Sequence, residues 1–404
     1  MKITRIETIR PEEYPNPNIL WVKLYSDAGI IGLGETFWGA QTVEAHIHES
    51  VAPRLLGRDP CAIDRISKDL VGYLGFRSTG AEARGNSAVD IALWDHQGKL
   101  TGQPIAQLLG GFSRSRIRTY NTCAGPQYIR RPNDAGVTNW GLDHQGRYND
   151  LNGFMQRADE LALELLSEGI TAMKIWPFDP FAGLTDGHHI SAADLKTGLA
   201  PFEKIRNAVG DKMDIMVEFH SLWQLLPAIR IARALAPLQT YWHEDPIRMD
   251  SLSSLVRYQQ NSPAPLCASE TLGSRWAFRD LLETGAAGVI MLDLSWCGGI
   301  SEARKIAAMA EAWHLPVAPH DCTGPVVLCA STHLALNSPN ALIQESVRAF
   351  YRTWYRDVVT ALPEVQDGHI TVPPGPGLGL ELMPDIEHRF PVVRRVSSLD
   401  KAGI

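Results

Sequence analysis

Three glutamates recur at a constant interval in the middle of this chain. Glu218, Glu244 and Glu270 each end a mostly apolar run, and neighbouring members are 26 residues apart. Carboxylates crowded together repel one another unless a cation holds them, and carboxylate oxygens are ligands that Mg²⁺ prefers. If the fold brings these residues together, we expect them to bind one magnesium ion. The next apolar runs end in further groups that can move or share a proton, namely Asp293, His320 and Glu345.

His320 is the candidate for a general base. Imidazole titrates near neutrality, and a carboxylate on the neighbouring strand can fix its tautomer and raise its basicity. Asp293 ends the preceding apolar run and is placed to do this. A base beside a divalent cation suits proton abstraction, because the cation can stabilise the negative charge that the lost proton leaves behind.

The elements that position these residues repeat along the chain. The ends of the apolar runs are 23 to 27 residues apart, which is the length of a β-strand, a crossover helix and two loops. In a (β/α)₈ barrel all strand ends meet on one face, where the chemistry sits. The sequence therefore predicts an α/β barrel, with earlier strands at 116–122 and 170–175 and a helix near 153–168.

The chain before the barrel has a different pattern. Residues 2–10 and 19–35 alternate like three antiparallel strands, and Gly29 supplies the left-handed position of the turn between the last two. Three strands followed by three helices describe an α+β lobe. The predicted helices lie near 41–56, 61–74 and 84–101.

The predicted domain organisation follows from these two patterns. After a helix near 350–362, a Pro/Gly-rich tail is expected to return to the first lobe. The predicted divisions are a capping domain at 1–115, a barrel at 116–345 and a C-terminal segment at 346–404.

Composition narrows the classes of partner. The chain has 404 residues, is 45% hydrophobic and carries a formal net charge of −7, so it offers no global attraction for nucleic acid or anionic membranes. Its six cysteines show no close CxxC pairing, which favours reduced thiols. The first residues alternate like a strand and no run reaches the length of a membrane span. We therefore expect a cytoplasmic enzyme that acts on a small molecule.

Several motifs carry a family resemblance. They are SAVDIALWDHQGK at 87–99, QLLGG at 107–111, MKIW at 173–176, the acidic strand ends, the stretches 293–312 and 316–325, and the Pro/Gly-rich tail. With them the chain resembles the mandelate racemase and muconate lactonizing enzyme family of the enolase superfamily. The resemblance implies a modified (β/α)₇β barrel with an α+β capping domain, one Mg²⁺ per subunit, proton abstraction next to a carboxylate, and a homo-oligomer, either dimer or octamer.

The same resemblance assigns roles to several residues. It implies an Asp293–His320 pair and a protonated Glu345 that hydrogen-bonds the substrate carboxylate. Lys174 is expected to neutralise the carboxylate or the enediolate. The family usually has Asp at the first metal position, where this chain has Glu218. Mandelate racemase has a Lys-x-Lys pattern on the second strand, whereas here Trp176 replaces the second lysine, so the usual second base for racemisation is missing.

His220 favours dehydration over racemisation. It lies two residues after Glu218, on the same side of an extended chain. Galactonate and mannonate dehydratases resemble this chain in having an acid-x-His sequence here, whose histidine protonates the departing 3-hydroxyl group. We therefore expect a Mg²⁺-dependent dehydratase of an aldonate or aldarate that forms a 2-keto-3-deoxy acid. A histidine that merely orients a ligand is the alternative.

Two other functions stay open. An epimerase, racemase or cycloisomerase would invert C2 and exchange its proton without forming a keto acid, whereas a dehydratase gives a product that reacts with semicarbazide. A sugar-acid-binding protein without catalytic activity is less well supported, because the set of residues expected for catalysis is intact.

Weaker candidates could contact the rest of the substrate. Arg275 could bind a polyol or pair with acids, and Asn121 ends the first barrel strand. Asp245 is expected to point away from Glu244, to the opposite side of the strand. Residues expected to wall or cover the barrel mouth are Trp176, Phe37, Trp38, Arg77 and the long loop at 123–150.

Overall fold

The structure is a computed structural model that describes residues 1–401 except 73–78, 133, 135 and 145. Its strands, in chain order, are β1 (Ile3–Pro11), β2 (Ile19–Ser26), β3 (Ile31–Phe37), β4 (Ile117–Thr122), β5 (Ala172–Ile175), β6 (Asp214–Glu218), β7 (Trp242–Glu244), β8 (Leu266–Ala268), β9 (Ala287–Leu292), β10 (Val317–Pro319), β11 (Gln344–Ser346), β12 (Glu364–Gln366), β13 (His369–Thr371) and β14 (Val392–Ser398).

The helices connect these strands. In chain order they are α1 (Ala40–His46), α2 (Ala52–Leu55), α3 (Ile63–Val71), α4 (Ala81–Thr101), α5 (Ile105–Leu108), α6 (Asp150–Gln156), α7 (Ala158–Ser167), α8 (Asp179–Ala182), α9 (Ala192–Val209), α10 (Leu225–Leu235), α11 (Leu252–Gln259), α12 (Ser274–Glu283), α13 (Gly299–Ala312), α14 (Pro325–Asn337), α15 (Arg348–Tyr351), α16 (Tyr355–Val358) and α17 (Ile386–Arg389). Within the described ranges, no helix combines the length and apolar composition needed to cross a bilayer.

The capping domain is an antiparallel sheet packed on α4. The sheet order is β14-β1-β2-β3, so the tail of the chain completes the sheet that the first strands begin. Gly29 has a φ of 75° in the turn between β2 and β3, as its sequence position predicts. A Cβ at Gly34 would lie 1.8 Å from the carbonyl oxygen of Ala88, so this glycine permits the close packing of β3 on α4.

The second domain is built from β4–β11, which the described residues arrange as one parallel series with helices between successive strands. Strand pairing runs from β10 through β9 and its neighbours to β4, and β4 then pairs with β11. Val317 and Ala341 form a parallel bridge that links β10 to the segment before β11. The predicted α/β barrel with an α+β cap is therefore confirmed.

An inner layer of buried side chains fills the ring of strands. It consists of Tyr120, Ala172, Met216, Trp242, Cys267, Val289, Met291, Ala318 and Ile343, which come from successive strands. Because packed side chains fill the inside of the ring, we expect a cavity at the carboxyl ends of the strands.

The segment after β11 differs from the prediction of one helix at 350–362. It contains the short helices α15 and α16, and the second of them ends at Val358. The hairpin β12–β13 follows and pairs with β4. Its turn residues, Asp367 and Gly368, have φ values of 49° and 67°, and this Asp-Gly pair is the signal from which the hairpin could have been predicted.

Candidate active site

The three glutamates expected to bind a metal meet at the carboxyl ends of the strands. Glu218 and Glu244 are register partners on the neighbouring strands β6 and β7, and Glu270 follows β8 by two residues. One oxygen of each carboxylate lies within 4.8 Å of the others. Three converging carboxylates form the hard oxygen donor set that suits Mg²⁺.

The electrostatics of this cluster also fit a cation. Burial and the Glu218 carboxylate raise the pKa of Glu244 well above its ordinary value. Burial alone would likewise raise the pKa of Glu270, but His320 lowers it to about 2. The protein therefore holds adjacent buried carboxylates that differ in their affinity for a proton, and a divalent cation would relieve their mutual repulsion.

The Lys174 ammonium group lies among the carboxylates of the cluster. Its Nζ lies 2.5 Å from Glu244 Oε1, 2.9 Å from Glu345 Oε1 and 3.2 Å from Glu218 Oε2. Burial lowers the pKa of Lys174, but the Glu244 and Glu345 carboxylates more than compensate and raise it well above its ordinary value. The side chain is thus a fixed ammonium group at the centre of the site.

His320 and Asp293 form the expected pair. His320 Nδ1 donates to Asp293 Oδ2 over 2.7 Å, and Nε2 lies 2.7 Å from Glu270 Oε2. Asp293 is fixed in turn by the backbone N–H and hydroxyl of Ser295, both at 2.6 Å. The Trp296 ring lies beside the imidazole, with centroids 5.7 Å apart. Nε2 therefore faces the acid cluster and is the nitrogen placed for proton transfer.

Glu345 belongs to the last barrel strand, β11, and its side chain lies next to that of Lys174. Its Oε1 accepts a hydrogen bond from the Thr122 hydroxyl, and its Oε2 accepts one from Asp321 N at 2.9 Å. Both oxygens are held by described protein groups, so the position of this carboxyl is well defined.

His220 also reaches the site, although not by strand alternation. The strand β6 ends at Glu218, and His220 has a φ of 48°, so the chain turns there. Its Nδ1 donates to Asp179 Oδ2 over 2.6 Å. Burial lowers the pKa of His220, but Glu218 and Asp179 raise it to about 9 overall. The sequence analysis did not identify Asp179, whose position four residues beyond β5 follows no repeat.

Most of these groups line one cavity of about 290 Å³, namely Lys174, Asp179, Glu218, His220, Glu270, His320 and Glu345. Glu244 and Asp293 are buried and do not line it. Trp176 and Trp38 form part of its wall, as expected, and Tyr128, Ile129 and Trp140 from the long loop join them. The Trp176 ring meets that of His220 edge to face, at a centroid distance of 5.5 Å. The cavity is therefore largely aromatic away from the acid cluster, as in many small-molecule sites.

The capping domain covers this cavity through the loop that follows β3. Arg84 Nη1 donates to the carbonyl oxygens of Phe37 and Trp38, at 3.4 and 3.2 Å. Trp296 Nε1 donates to Phe37 O at 3.1 Å, and the Arg84 guanidinium lies 4.6 Å from the Trp296 ring centre. Trp296 of the barrel and Arg84 of the capping domain thus hold the same loop. Arg77 lies outside the described residues.

Two proposed substrate contacts are placed elsewhere. Arg275 donates through Nε to Glu302 Oε2 over 3.0 Å and lines a different cavity, so the ion-pair alternative describes it. The buried Asn121 amide donates to Asp150 Oδ2 over 2.9 Å and accepts from Arg348 N over 2.8 Å. Neither residue lines the cavity that holds the acid cluster.

The expectation for Asp245 was wrong. It follows the last residue of β7 with a φ of 40°, so strand alternation no longer applies, and its side chain lines the same cavity as Glu218 and Glu270. Asp245 Oδ2 accepts a hydrogen bond from the Ser269 hydroxyl at 2.7 Å. Burial and the carboxylates of Glu218 and Glu270 raise its pKa well above its ordinary value.

Both domains of this chain match known protein families. Residues 157–386 match the family described as enolase C-terminal domain-like, and residues 15–110 match the N-terminal domain of mandelate racemase / muconate lactonizing enzyme. The D-galactonate dehydratase of Ralstonia nicotianae is 31% identical over 396 residues, covering 95% of this chain and 92% of the relative.

Solved structures agree with the fold. A crystal structure of an enolase of the mandelate racemase subgroup from Agrobacterium tumefaciens, with a succinimide residue, is 66% identical, covers 99% of both chains and has a TM-score of 0.88. An enolase protein from the environmental genome sequencing of the Sargasso Sea is 44% identical, with 98% of this chain and 99% of that chain covered and a TM-score of 0.87.

Proposed function

Because this chain belongs to the mandelate racemase and muconate lactonizing enzyme family of the enolase superfamily, we propose that it is a Mg²⁺-dependent hydro-lyase that dehydrates an aldonate or aldarate. Glu218, Glu244 and Glu270 would hold the ion. When bound, the cation supplies positive charge toward a substrate carboxylate whose oxygens gain electron density as the neighbouring C–H bond breaks.

The observation that carries this proposal is the position of two histidines in one cavity. His320 follows β10 and His220 follows β6, and both line the cavity around the acid cluster. These strands are four apart in the eight-membered parallel series that the described residues form, so they lie on opposite sides of the ring. A substrate between them has a base on one side and an acid on the other.

The reaction follows from these positions. His320 Nε2 takes the proton from C2 while Lys174 and Glu345 hold the carboxylate by charge and hydrogen bond. His220 Nε2–H gives its proton to the 3-hydroxyl as the C3–O bond breaks, so that one water leaves. The electron pair of the C2–H bond forms the C2–C3 double bond, and the enol tautomerises to a 2-keto-3-deoxy acid.

Epimerisation is the second candidate, because the same geometry would let His220 return a proton to C2 from the opposite side. Trp176 occupies the place of the second lysine and cannot accept a proton, which favours dehydration. The intact arrangement of Lys174, Asp293, His320 and Glu345 argues against a protein that only binds sugar acids.

A panel of aldonic and aldaric acids, incubated with the enzyme and Mg²⁺, tests this function. We expect at least one acid to yield a product that reacts with semicarbazide, and we expect EDTA to stop the reaction and added Mg²⁺ to restore it. Inversion and deuterium exchange at C2 without any keto acid would replace dehydration by epimerisation.

We also infer that the enzyme is a cytoplasmic homo-oligomer, either a dimer or an octamer, as the family resemblance implies. Light scattering after size exclusion would measure the assembly. A monomer at working concentration would contradict this inference.

A further inference from the structure

We propose that Asp179 is the positioning residue of the elimination step: one carboxylate oxygen holds His220 in its proton-donating orientation, and the other accepts a hydrogen bond from a substrate hydroxyl. This inference rests on the proposed dehydration and adds to it a residue that the acid needs. It also identifies a place where the enzyme recognises the hydroxylated part of its substrate.

The first argument is the contact itself. Asp179 begins α8, is 1% exposed and lines the cavity together with His220. Its Oδ2 lies 2.6 Å from His220 Nδ1. Because a carboxylate can only accept, this bond places a hydrogen on Nδ1 and fixes the plane of the ring. The other ring nitrogen, Nε2, is then the one left to exchange a proton with the substrate.

The second argument is a repeated arrangement across the ring. Asp293 follows β9 and holds His320, which follows β10, whereas Asp179 follows β5 and holds His220, which follows β6. In both cases the carboxylate follows the strand that precedes the histidine's own strand, and it contacts Nδ1. The two pairs occupy opposite sides of the barrel, and each leaves Nε2 for chemistry.

The third argument is the second oxygen of Asp179. Oδ1 is buried and has no hydrogen-bond partner among the described residues. Buried polar atoms are nearly always satisfied, so an atom of this kind in a cavity wall indicates a ligand or water that donates to it. A polyhydroxylated acid offers such donors along its chain, and no protein group among the described residues donates to this oxygen.

The proton balance of the step gives Asp179 its function. The proton on Nε2 moves to the departing hydroxyl oxygen, the C3–O bond breaks and water leaves, while Nδ1 keeps its hydrogen bond to Asp179. The hydrogen bond to the carboxylate therefore keeps the same nitrogen directed at the leaving group.

The test is a set of variants assayed with a sugar acid that the wild-type enzyme dehydrates. Asp179→Asn should lower kcat for dehydration by about 10²-fold or more, while exchange of the C2 proton in D₂O, which depends on His320, changes by less than about threefold. Asp186→Asn, the same substitution at an exposed position of the same loop, should change neither rate.

A double variant separates positioning from general damage to the site. If Asp179 acts through His220, then Asp179→Asn in the His220→Asn background should cause no further loss of kcat for dehydration, whereas the contact of Oδ1 with the substrate acts on KM. Multiplied losses in the double variant, or normal dehydration by Asp179→Asn, would overturn the proposal. Thermal unfolding of each variant shows that the comparison is made on folded protein.

A spectroscopic measurement judges the contact without any substrate. In protein with ¹⁵N-labelled histidine, the strongly hydrogen-bonded Nδ1–H of His220 should give a downfield resonance that Asp179→Asn removes, while the corresponding resonance of His320 remains. A His220 signal that is unchanged in Asp179→Asn would refute the positioning role. If no sugar acid is dehydrated by the wild type, the proposed function fails, and this measurement still decides the contact.

Discussion

His320 and His220 are chemically similar side chains that the protein places in similar surroundings. Each ring donates through Nδ1 to a buried carboxylate, and each lines the cavity around the acid cluster. In the proposed reaction they differ in the atom of the substrate that each one reaches. The proposed reaction therefore separates into two proton transfers that can be blocked one at a time.

The two histidines should give different partial reactions when replaced. His320→Asn should abolish exchange of the C2 proton with D₂O and dehydration together, because nothing else described at that position removes the proton. His220→Asn should lower dehydration by about 10²- to 10⁴-fold yet leave C2 exchange measurable. Proton NMR of the recovered substrate and a semicarbazide assay measure the two rates. Normal dehydration by His220→Asn would show that the acid is another group.

At the scale of elements, the capping domain depends on the close approach of β3 to α4. Gly34 is the contact point, since any Cβ there would meet the Ala88 carbonyl at 1.8 Å. Both partners in this contact are backbone, so neither can move aside as a flexible side chain would.

Gly34→Ala should therefore destabilise the protein by about 3 kcal/mol, because it forces the strand and the helix apart. Gly29→Ala is the matched control: its Cβ would meet nothing within 4 Å, and only its left-handed φ of 75° opposes the change, at about 1 kcal/mol. Urea unfolding followed by circular dichroism measures both. Equal losses for the two variants would mean that the contact is not tight.

The loop that covers the cavity depends on a hydrogen bond between domains. Trp296→Phe keeps an aromatic ring beside His320 but removes the N–H that Phe37 O accepts. Loss of one such bond, worth about 1 kcal/mol, should raise KM by about fivefold with a smaller effect on C2 exchange. The control is Trp276→Phe, at a half-exposed tryptophan outside this cavity, which should leave KM unchanged. An equal rise of KM in both variants would show that the hydrogen bond to Phe37 O does not hold the loop over the cavity.

At the scale of the whole molecule, buried histidines make stability depend on pH. Burial lowers the pKa of His48 and His333 to about 4 and that of His243 to about 3. The folded protein keeps these rings neutral, whereas the unfolded chain protonates them below about pH 6.5. Each ring therefore destabilises the folded state as the pH falls from about 6.5 toward 4, by up to about 1.4 kcal/mol per pH unit.

His333→Gln should make this dependence shallower. The glutamine side chain can accept from Ala106 N and donate to Leu378 O, as the neutral ring does, but it takes up no proton in the unfolded state. Urea unfolding at several pH values between 4.5 and 7 gives the slopes. The exposed His189→Gln should keep the wild-type slope, and an unchanged slope in His333→Gln would show that this ring titrates normally.

The sequence predicted the barrel and the acid cluster because both follow a repeat. Glu218, Glu244 and Glu270 occupy equivalent places in successive β/α units, so their spacing was enough to predict that they lie close together. Asp179 and Asp245 were missed or misplaced because they lie beyond strand ends, where individual φ values rather than a period set their direction. The partner of Arg275, Glu302, belongs to a different helix, and only the folded chain reveals that pair.

The capping sheet pairs a strand that precedes the barrel in the sequence with a strand that follows it. β1 is synthesised before any barrel strand and β14 after all of them, yet the two are hydrogen-bonded neighbours. During translation the barrel strands can therefore assemble while the edge of β1 still waits for its partner. Completion of the capping sheet is therefore a late event of biosynthesis, because residues 392–398 must emerge before β1 gains this neighbour.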